Sequence, residues 1–283
     1  MTGEVWTAQR SILVAAGPVG IGLQVEETWL DKRIREKYRG FLEEREPDIT
    51  LRIRLQKEPM LVSSAFDQDF NKNGFEIDLP DSTLELDLQH NQGSLVTSNQ
   101  VVEEAVELTL RILVAILAAR SNGFLFHSAG IVHMGRGCLF FGPSGSGKTT
   151  VARFSQGDRV LNDDLVFLSQ KTGVWSMHST PFTNADQIRP KAFCSNITAL
   201  FRLVQDDRVF IERIGSAEAL AEVIASIPIL PAKPDFTSQL LQLAGELIQT
   251  VPVYRLHFLP DSTFWKIVES EIKDSHEYEK YGI

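Results

Sequence analysis

Residues 142–149, Gly-Pro-Ser-Gly-Ser-Gly-Lys-Thr, constrain the fold of this chain more than any other stretch. The three glycines allow tight turns that larger residues resist, and let successive N–H groups point inward. The apolar run Cys138-Leu139-Phe140-Phe141 leads into them, and a helical pattern over Lys148–Ser155 leads out. A strand, a glycine-rich turn and a helix in that order make an anion site, because unpaired N–H groups and the helix dipole converge there. The pattern G-x-x-x-x-G-K-[ST] arises by chance roughly once in a hundred chains of this length. The strand–loop–helix context, more than the pattern, therefore decides its reading.

That reading is a cradle for the phosphates of a nucleoside triphosphate, ATP with Mg²⁺. Gly142, Pro143, Ser144, Gly145, Ser146, Gly147, Lys148, Thr149 and Thr150 are the expected cofactor-binding residues. Lys148 reaches the β- and γ-phosphates as a point charge, and the Thr149 hydroxyl ligates the metal. Asp163 and Asp164 follow Lys148 by 15 and 16 residues, between the apolar flanks Val160-Leu161 and Leu165–Leu168. Adjacent carboxylates between buried strands are costly unless a cation or donors compensate them. One of the pair binds metal, directly or through water, and the other accepts a hydroxyl proton as general base. Both count as catalytic with Lys148, and Asp164 joins Thr149 as the expected metal ligand. Asp-Asp is also a common exposed turn, so the loop upstream is what favours a site here. His127, beside the small residues Ser128-Ala129-Gly130, is a further candidate for tuning the base. A lone histidine is more often structural.

Acidic partners in most phosphate-loop NTPases end a parallel strand after a full crossover helix. Here only a short helix and the return Gln156-Gly157-Asp158 precede Arg159–Asn162, which excludes a Ras-like or AAA-like machine. Upstream, Ile12–Val14 and Ile21–Val25 read as strands around Gly17-Pro18, and Trp29–Glu44 as a helix. Ile49, Leu51, Ile53 and Leu55, then Leu84, Leu86 and Leu88, alternate as half-buried strands do. Residues 63–74 read as a loop, and Gly74–Asp78 and Ser94–Thr97 as further short strands. Val101–Arg120 is a long helix that Ser98 or Asn99 caps. Phe124–Phe126, Ile131–His133 and Cys138–Phe141 read as strands, the last two joined by Met134–Gly137. Strands over Arg159–Asn162, Leu165–Ser169 and Val253–His257, and helices over Ala217–Ile227, Ser238–Thr250 and Thr263–Ile272, complete the reading. The fold class is α/β (α+β), a mixed sheet flanked by helices, with an α+β segment over 1–98 and the nucleotide-binding domain over 99–283.

Composition narrows the partners. A net charge of −9 and a pI near 5.2 argue against a broad grip on nucleic acid or anionic membrane. The apolar stretch Ile112–Ala119 is too short to span a bilayer, and Met1–Arg10 lacks a signal pattern. Two cysteines, Cys138 and Cys194, make neither a disulfide framework nor a structural zinc site. A cytoplasmic protein is expected.

The order His127-Ser128-Ala129-Gly130, phosphate loop, Asn162-Asp163-Asp164 resembles the catalytic domain of the HPr kinase/phosphorylase family, and more closely the HPr-kinase-related proteins. The resemblance spans about residues 120–270, with Ser179-Thr180-Pro181-Phe182 and Val251–Leu256 as further matching elements. It implies a core shared with the phosphoenolpyruvate carboxykinases and a homo-oligomer. It also implies phosphates on Lys148, metal on Thr149, base and metal contacts from the two aspartates, and His127 in support. The glycine- and asparagine-rich signature of HPr kinases does not follow; Asn184–Asn196 carries Asp186, Arg189 and Lys191 instead. That departure speaks against HPr as acceptor and against phosphorolysis. The expected function is an ATP-dependent kinase acting on a hydroxyl, serine or threonine of a peptide or protein or a small molecule. A nucleotide-binding regulatory module with little transfer activity is the alternative. A carboxykinase-like enzyme ranks third, for want of clustered arginines near the loop.

Overall fold

The computed structural model describes residues 11–56, 68–69, 74–79, 81–155, 157–182, 190–228 and 234–281. The expectations for residues 1–10, most of the loop over 63–74, Gln156, and Asp186 and Arg189 fall outside these. The chain divides into two compact units, Met1–Leu117 and Ala118–Ile283.

The first unit holds β1 (Ser11–Ala16), β2 (Val19–Val25), α1 (Thr28–Lys37), β3 (Ile49–Gln56), β4 (Gln68–Asp69), β5 (Gly74–Leu79), β6 (Ser82–Asp87), β7 (Gln92–Ser98) and most of α2 (Val102–Arg120). Its seven strands form one sheet in the order β1-β2-β3-β7-β6-β5-β4. β3 is parallel to both neighbours, and the remaining pairs are antiparallel. The alternation of Ile49, Leu51 and Ile53 puts one face of β3 in the core, as its period requires.

Three expectations are corrected here. The helix over 29–44 stops at Lys37, because the residues beyond it serve the sheet edge. Ala15 N donates to Phe41 O at 2.8 Å and Glu43 N to Leu13 O at 3.2 Å, satisfying β1's otherwise open backbone. The stretch taken as a loop over 63–74 contains β4, paired on β5. At α2, Ala105 N donates to Val101 O, so Val101 and neither Ser98 nor Asn99 sits at the helix entry.

The second unit holds β8 (Gly123–His133), β9 (Arg136–Phe141), α3 (Lys148–Arg153), β10 (Arg159–Asn162), β11 (Leu165–Lys171), β12 (Val174–His178), β13 (Cys194–Gln205), β14 (Phe210–Arg213), α4 (Ser216–Ala225), α5 (Pro234–Thr250), β15 (Val253–Phe258) and α6 (Phe264–Tyr281). The two strands expected within 124–133 are one, β8, continuous through His127–Gly130. The turn into β9 is only Met134-Gly135, both at positive φ (50° and 79°), which matches the twist of a hairpin. β12, β13 and β14 had no counterpart in the sequence reading.

Pairing runs β8–β11–β12–β13–β9–β8, a closed circuit in which the long strands β8 and β13 each change neighbours partway along. β9 is parallel to β13 and antiparallel to β8. It is buried on both faces. Leu139 and Phe141 join a core with Val223 of α4 and Leu243 and Leu247 of α5. Cys138 and Phe140 face a second core with Val151 of α3 and Phe264 and Val268 of α6. A strand covered on both faces is near-continuously apolar, which is why residues 138–141 carry no polar alternation. The loop that follows β9 is therefore anchored on a strand buried on both faces.

Candidate functional site

The hydrogen-bonding of Ser128 organises the site. On one edge of β8, Ser128 pairs with Phe141, the last residue of β9, so Gly142 begins the glycine-rich loop at this level. Ser128 N also donates to Asp164 O at 3.1 Å. β10 and β11 are both antiparallel to β8, in a common register at Asn162–Gly130 and Leu165–His127. Asp163 and Asp164 form the interruption between them. Two segments some twenty residues apart in sequence thus meet across one strand.

Gly142, Gly145 and Gly147 have φ of 146°, 78° and 108°, so the loop uses glycine where the motif demands it. At Gly147 space matters too: a Cβ would lie 2.4 Å from Phe258 Cζ. Ser146 N donates to Pro143 O at 3.1 Å, and Gln205 Nε2 holds Gly145 O at 2.8 Å. Pro143, Ser144 and Gly145 are exposed, and Ser146, Thr149 and Thr150 half-buried. Lys148 opens α3 but folds back, its Nζ donating to Gly142 O at 2.9 Å and Pro143 O at 3.1 Å. It is 7% exposed, and desolvation lowers its pKa while the Asp164 carboxylate raises it. A buried ammonium held by two carbonyls and lacking a directly bonded carboxylate fits an anion in front of the loop. The orphaned Ser146 Oγ, buried without a hydrogen-bond partner, fits a polar ligand as well.

The aspartate turn is built differently. Asn162 Oδ1 accepts from Asp164 N at 2.8 Å and Leu165 N at 3.0 Å, curling the backbone around its own side chain. Its Nδ2 donates to Thr180 O, Thr180 Oγ1 and Phe182 O at 3.2, 3.1 and 2.8 Å. Thr180 Oγ1 closes the clamp on Leu165 O. The segment Ser179–Phe182 therefore fixes the turn, a positioning role that the sequence reading did not assign to Asn162 or Thr180.

The two carboxylates face different partners. Asp163 is 6% exposed; desolvation raises its pKa, opposed by backbone and Thr149 hydrogen bonds and assisted by the neighbouring Asp164 charge. Thr149 thus counts among the polar neighbours of Asp163. Asp164 lies 3.5 Å (Oδ1) from His127 Nε2, and its charge is felt by Lys148. His127 is half-buried, with its N–H on Ser226 O at 2.8 Å beyond the C-terminus of α4. The expected site residues therefore gather around the middle of β8 and the C-terminal end of β9, and Lys191 lies exposed on the approach to β13. Gln205 and Phe258, which shape the loop, carried no signal in the sequence.

Thr149 with Asp163 offers a hard-oxygen pair of the kind Mg²⁺ takes. Among the described residues no three His, Cys, Asp or Glu side chains converge as a protein-only metal cage. No described helix is long and apolar enough to cross a membrane.

Comparison with known proteins gives one family. The family described as SynChlorMet cassette protein ScmC matches residues 97–273. No curated protein matches the chain. Among solved structures, the HPr(Ser) kinase/phosphatase from Coxiella burnetii is a weak neighbour. It is 12% identical, with a TM-score of 0.30, over 55% of this chain and 97% of its own.

Proposed function

This chain belongs to the ScmC family, whose model covers more than half of it, and from its site geometry we propose that it binds a nucleoside triphosphate at Gly142–Thr149 and transfers the γ-phosphoryl group to a hydroxyl. The observation that carries this reading is the meeting at Ser128. A phosphate-type loop with a buried lysine and a clamped aspartate pair share one strand, and Thr149 interacts with Asp163 across it. An anion cradle alone binds; an anion cradle beside a base can transfer.

The roles follow from what each group faces. The loop N–H groups and Lys148 bind and orient the phosphates, and Lys148 must leave Gly142 O and Pro143 O to do so. Thr149 and Asp163 would hold Mg²⁺, which when bound supplies charge neutralisation to the phosphates. Asp164 is then the base: the acceptor oxygen bonds to the γ-phosphorus, the bond from γ-phosphorus to the leaving diphosphate oxygen breaks, and the acceptor proton passes to Asp164. His127, 3.5 Å away, orients that carboxylate. Asp163 thus takes the metal role that the sequence reading gave to Asp164, on the strength of its interaction with Thr149.

The test is transfer of labelled γ-phosphate from ATP, with Mg²⁺, into a lysate and into free serine and threonine. Wild type runs beside Lys148→Ala and Asp163→Asn/Asp164→Asn. Label that depends on all three residues supports the reading. Unchanged transfer by the double aspartate variant sinks the mechanism. Nucleotide binding with no label in any acceptor turns the assignment toward a nucleotide-dependent regulatory module.

A further inference from the structure

β13 is the parallel neighbour of β9, the strand that leads into the loop, and the residue in register with Phe141 is Arg202. Arg202 Nη1 donates to Leu203 O at 2.7 Å, and a Cβ on Gly142 would lie 3.6 Å from that same oxygen. The guanidinium thus sits on a carbonyl that borders the first residue of the loop.

Its pairing is incomplete. Arg202 Nε lies 3.3 Å from Glu222 Oε1 on α4, yet this buried nitrogen makes no hydrogen bond. A guanidinium satisfied bidentately by a carboxylate is a finished structural pair; this one keeps donor capacity. Glu222 itself belongs to the last turns of α4, where Ser226 Oγ donates to Glu222 O at 2.9 Å and Ser226 O accepts from His127 N. Arg202 therefore links β13, beside the loop strand, to α4, whose end accepts a hydrogen bond from His127 N. The neighbouring Arg255, in register with Arg202 on β15, is already committed to Glu212 and Glu218.

We propose that Arg202 is the sensor of the terminal phosphate: it exchanges its partial contact with Glu222 for the γ-phosphate and so distinguishes nucleoside triphosphate from diphosphate. The proposal rests on nucleotide binding at Gly142–Thr149. Arg202 supplies a charge-assisted contact to an oxygen that only the triphosphate has, and Glu222 competes for it.

The experiment is equilibrium binding of ATP and of ADP, each with Mg²⁺, to wild type, Arg202→Gln, Arg202→Lys and Glu222→Gln, with melting curves to establish folding. Arg202→Gln should lose about tenfold or more of ATP affinity while holding ADP nearly as before. Arg202→Lys should recover part of the preference, and Glu222→Gln should tighten ATP by several-fold because the competing carboxylate is gone. A general structural loss in Arg202→Gln would weaken both nucleotides alike, and the Glu222→Gln arm, which keeps the arginine, then decides. An unchanged ATP-to-ADP ratio in both Arg202→Gln and Glu222→Gln overturns the sensor while leaving the nucleotide site standing. Wild type that binds neither nucleotide overturns the sensor and the proposed function together.

Discussion

The loop at Gly142–Thr149 and the turn at Asp163-Asp164 lie on either side of Ser128 and bury charges of opposite sign by opposite means. The loop is made of backbone. Its glycines adopt angles that no other residue takes cheaply, and Lys148 is held by carbonyls of the same loop. The turn is made of side chains from elsewhere: Asn162 takes five hydrogen bonds, and three of its partners are atoms of Thr180 and Phe182. A site built from backbone demands particular residues at fixed spacing and leaves a motif. A site built by a remote clamp leaves none, and its strength is open to a single substitution.

The sharpest test of that contrast is Asn162→Ala. It strips acceptors from Asp164 N and Leu165 N and donors from Thr180 and Phe182 at a buried position. About 2–4 kcal/mol of stability should be lost, read as a lowered denaturation midpoint. ATP binding at the loop should persist in the fraction still folded while transfer disappears. If Asn162→Ala keeps wild-type stability, the clamp is not what holds the aspartates.

The loop should break by geometry. Gly147→Ala adds a Cβ 2.4 Å from Phe258 Cζ at φ 108°, whereas Gly145→Ala adds one into open space at φ 78°. Gly147→Ala should cost about 2 kcal/mol or more from strain and overpacking together, and Gly145→Ala about 1 kcal/mol from backbone strain alone. Melting of the two variants side by side checks the order. Equal losses would mean that Phe258 gives way and that close packing behind the loop is unimportant.

These contrasts also explain what the sequence disclosed. The loop, β9, β10 and the start of β11 were legible because glycine spacing and short apolar runs determine them locally. β13 was not, although it is the longest strand of its unit. Its segment Ala199–Val204 lies between β9 and β15 with no residue fully exposed, and such a run lacks the clear polar alternation that separates strand from helix. The same holds for the end of α1, where helical spacing through Leu42 yields to a bridge on β1. Asn162 stood in the motif that the sequence offered, but its partners Thr180 and Phe182 become neighbours only once β11 and β12 have paired. The Thr149–Asp163 interaction is equally tertiary, so the sequence alone could not tell which aspartate faces Thr149.

The smallest effect expected is also the most specific, because its sign is unusual for a carboxylate. Desolvation raises the Asp163 pKa above its unfolded value, so between the two the folded state binds more protons than the unfolded. That contribution to stability is present at acid pH and is lost as pH rises through the folded pKa. Asp163→Asn should therefore raise the melting temperature at pH 7, and the gain should vanish as pH falls through the acid range. His178 acts in the opposite direction over part of the same range: burial lowers its pKa from 6.5 to about 4, so stability falls as pH drops between those values. The difference between wild type and Asp163→Asn, measured at each pH, cancels the His178 contribution and isolates the aspartate. A gain at neutral pH, combined with lost transfer, would identify Asp163 as a residue kept at a cost to stability. A variant less stable than wild type at pH 7 would mean that the Thr149 hydrogen bond outweighs desolvation, and that the turn, like the loop, is stabilised by the charge it buries.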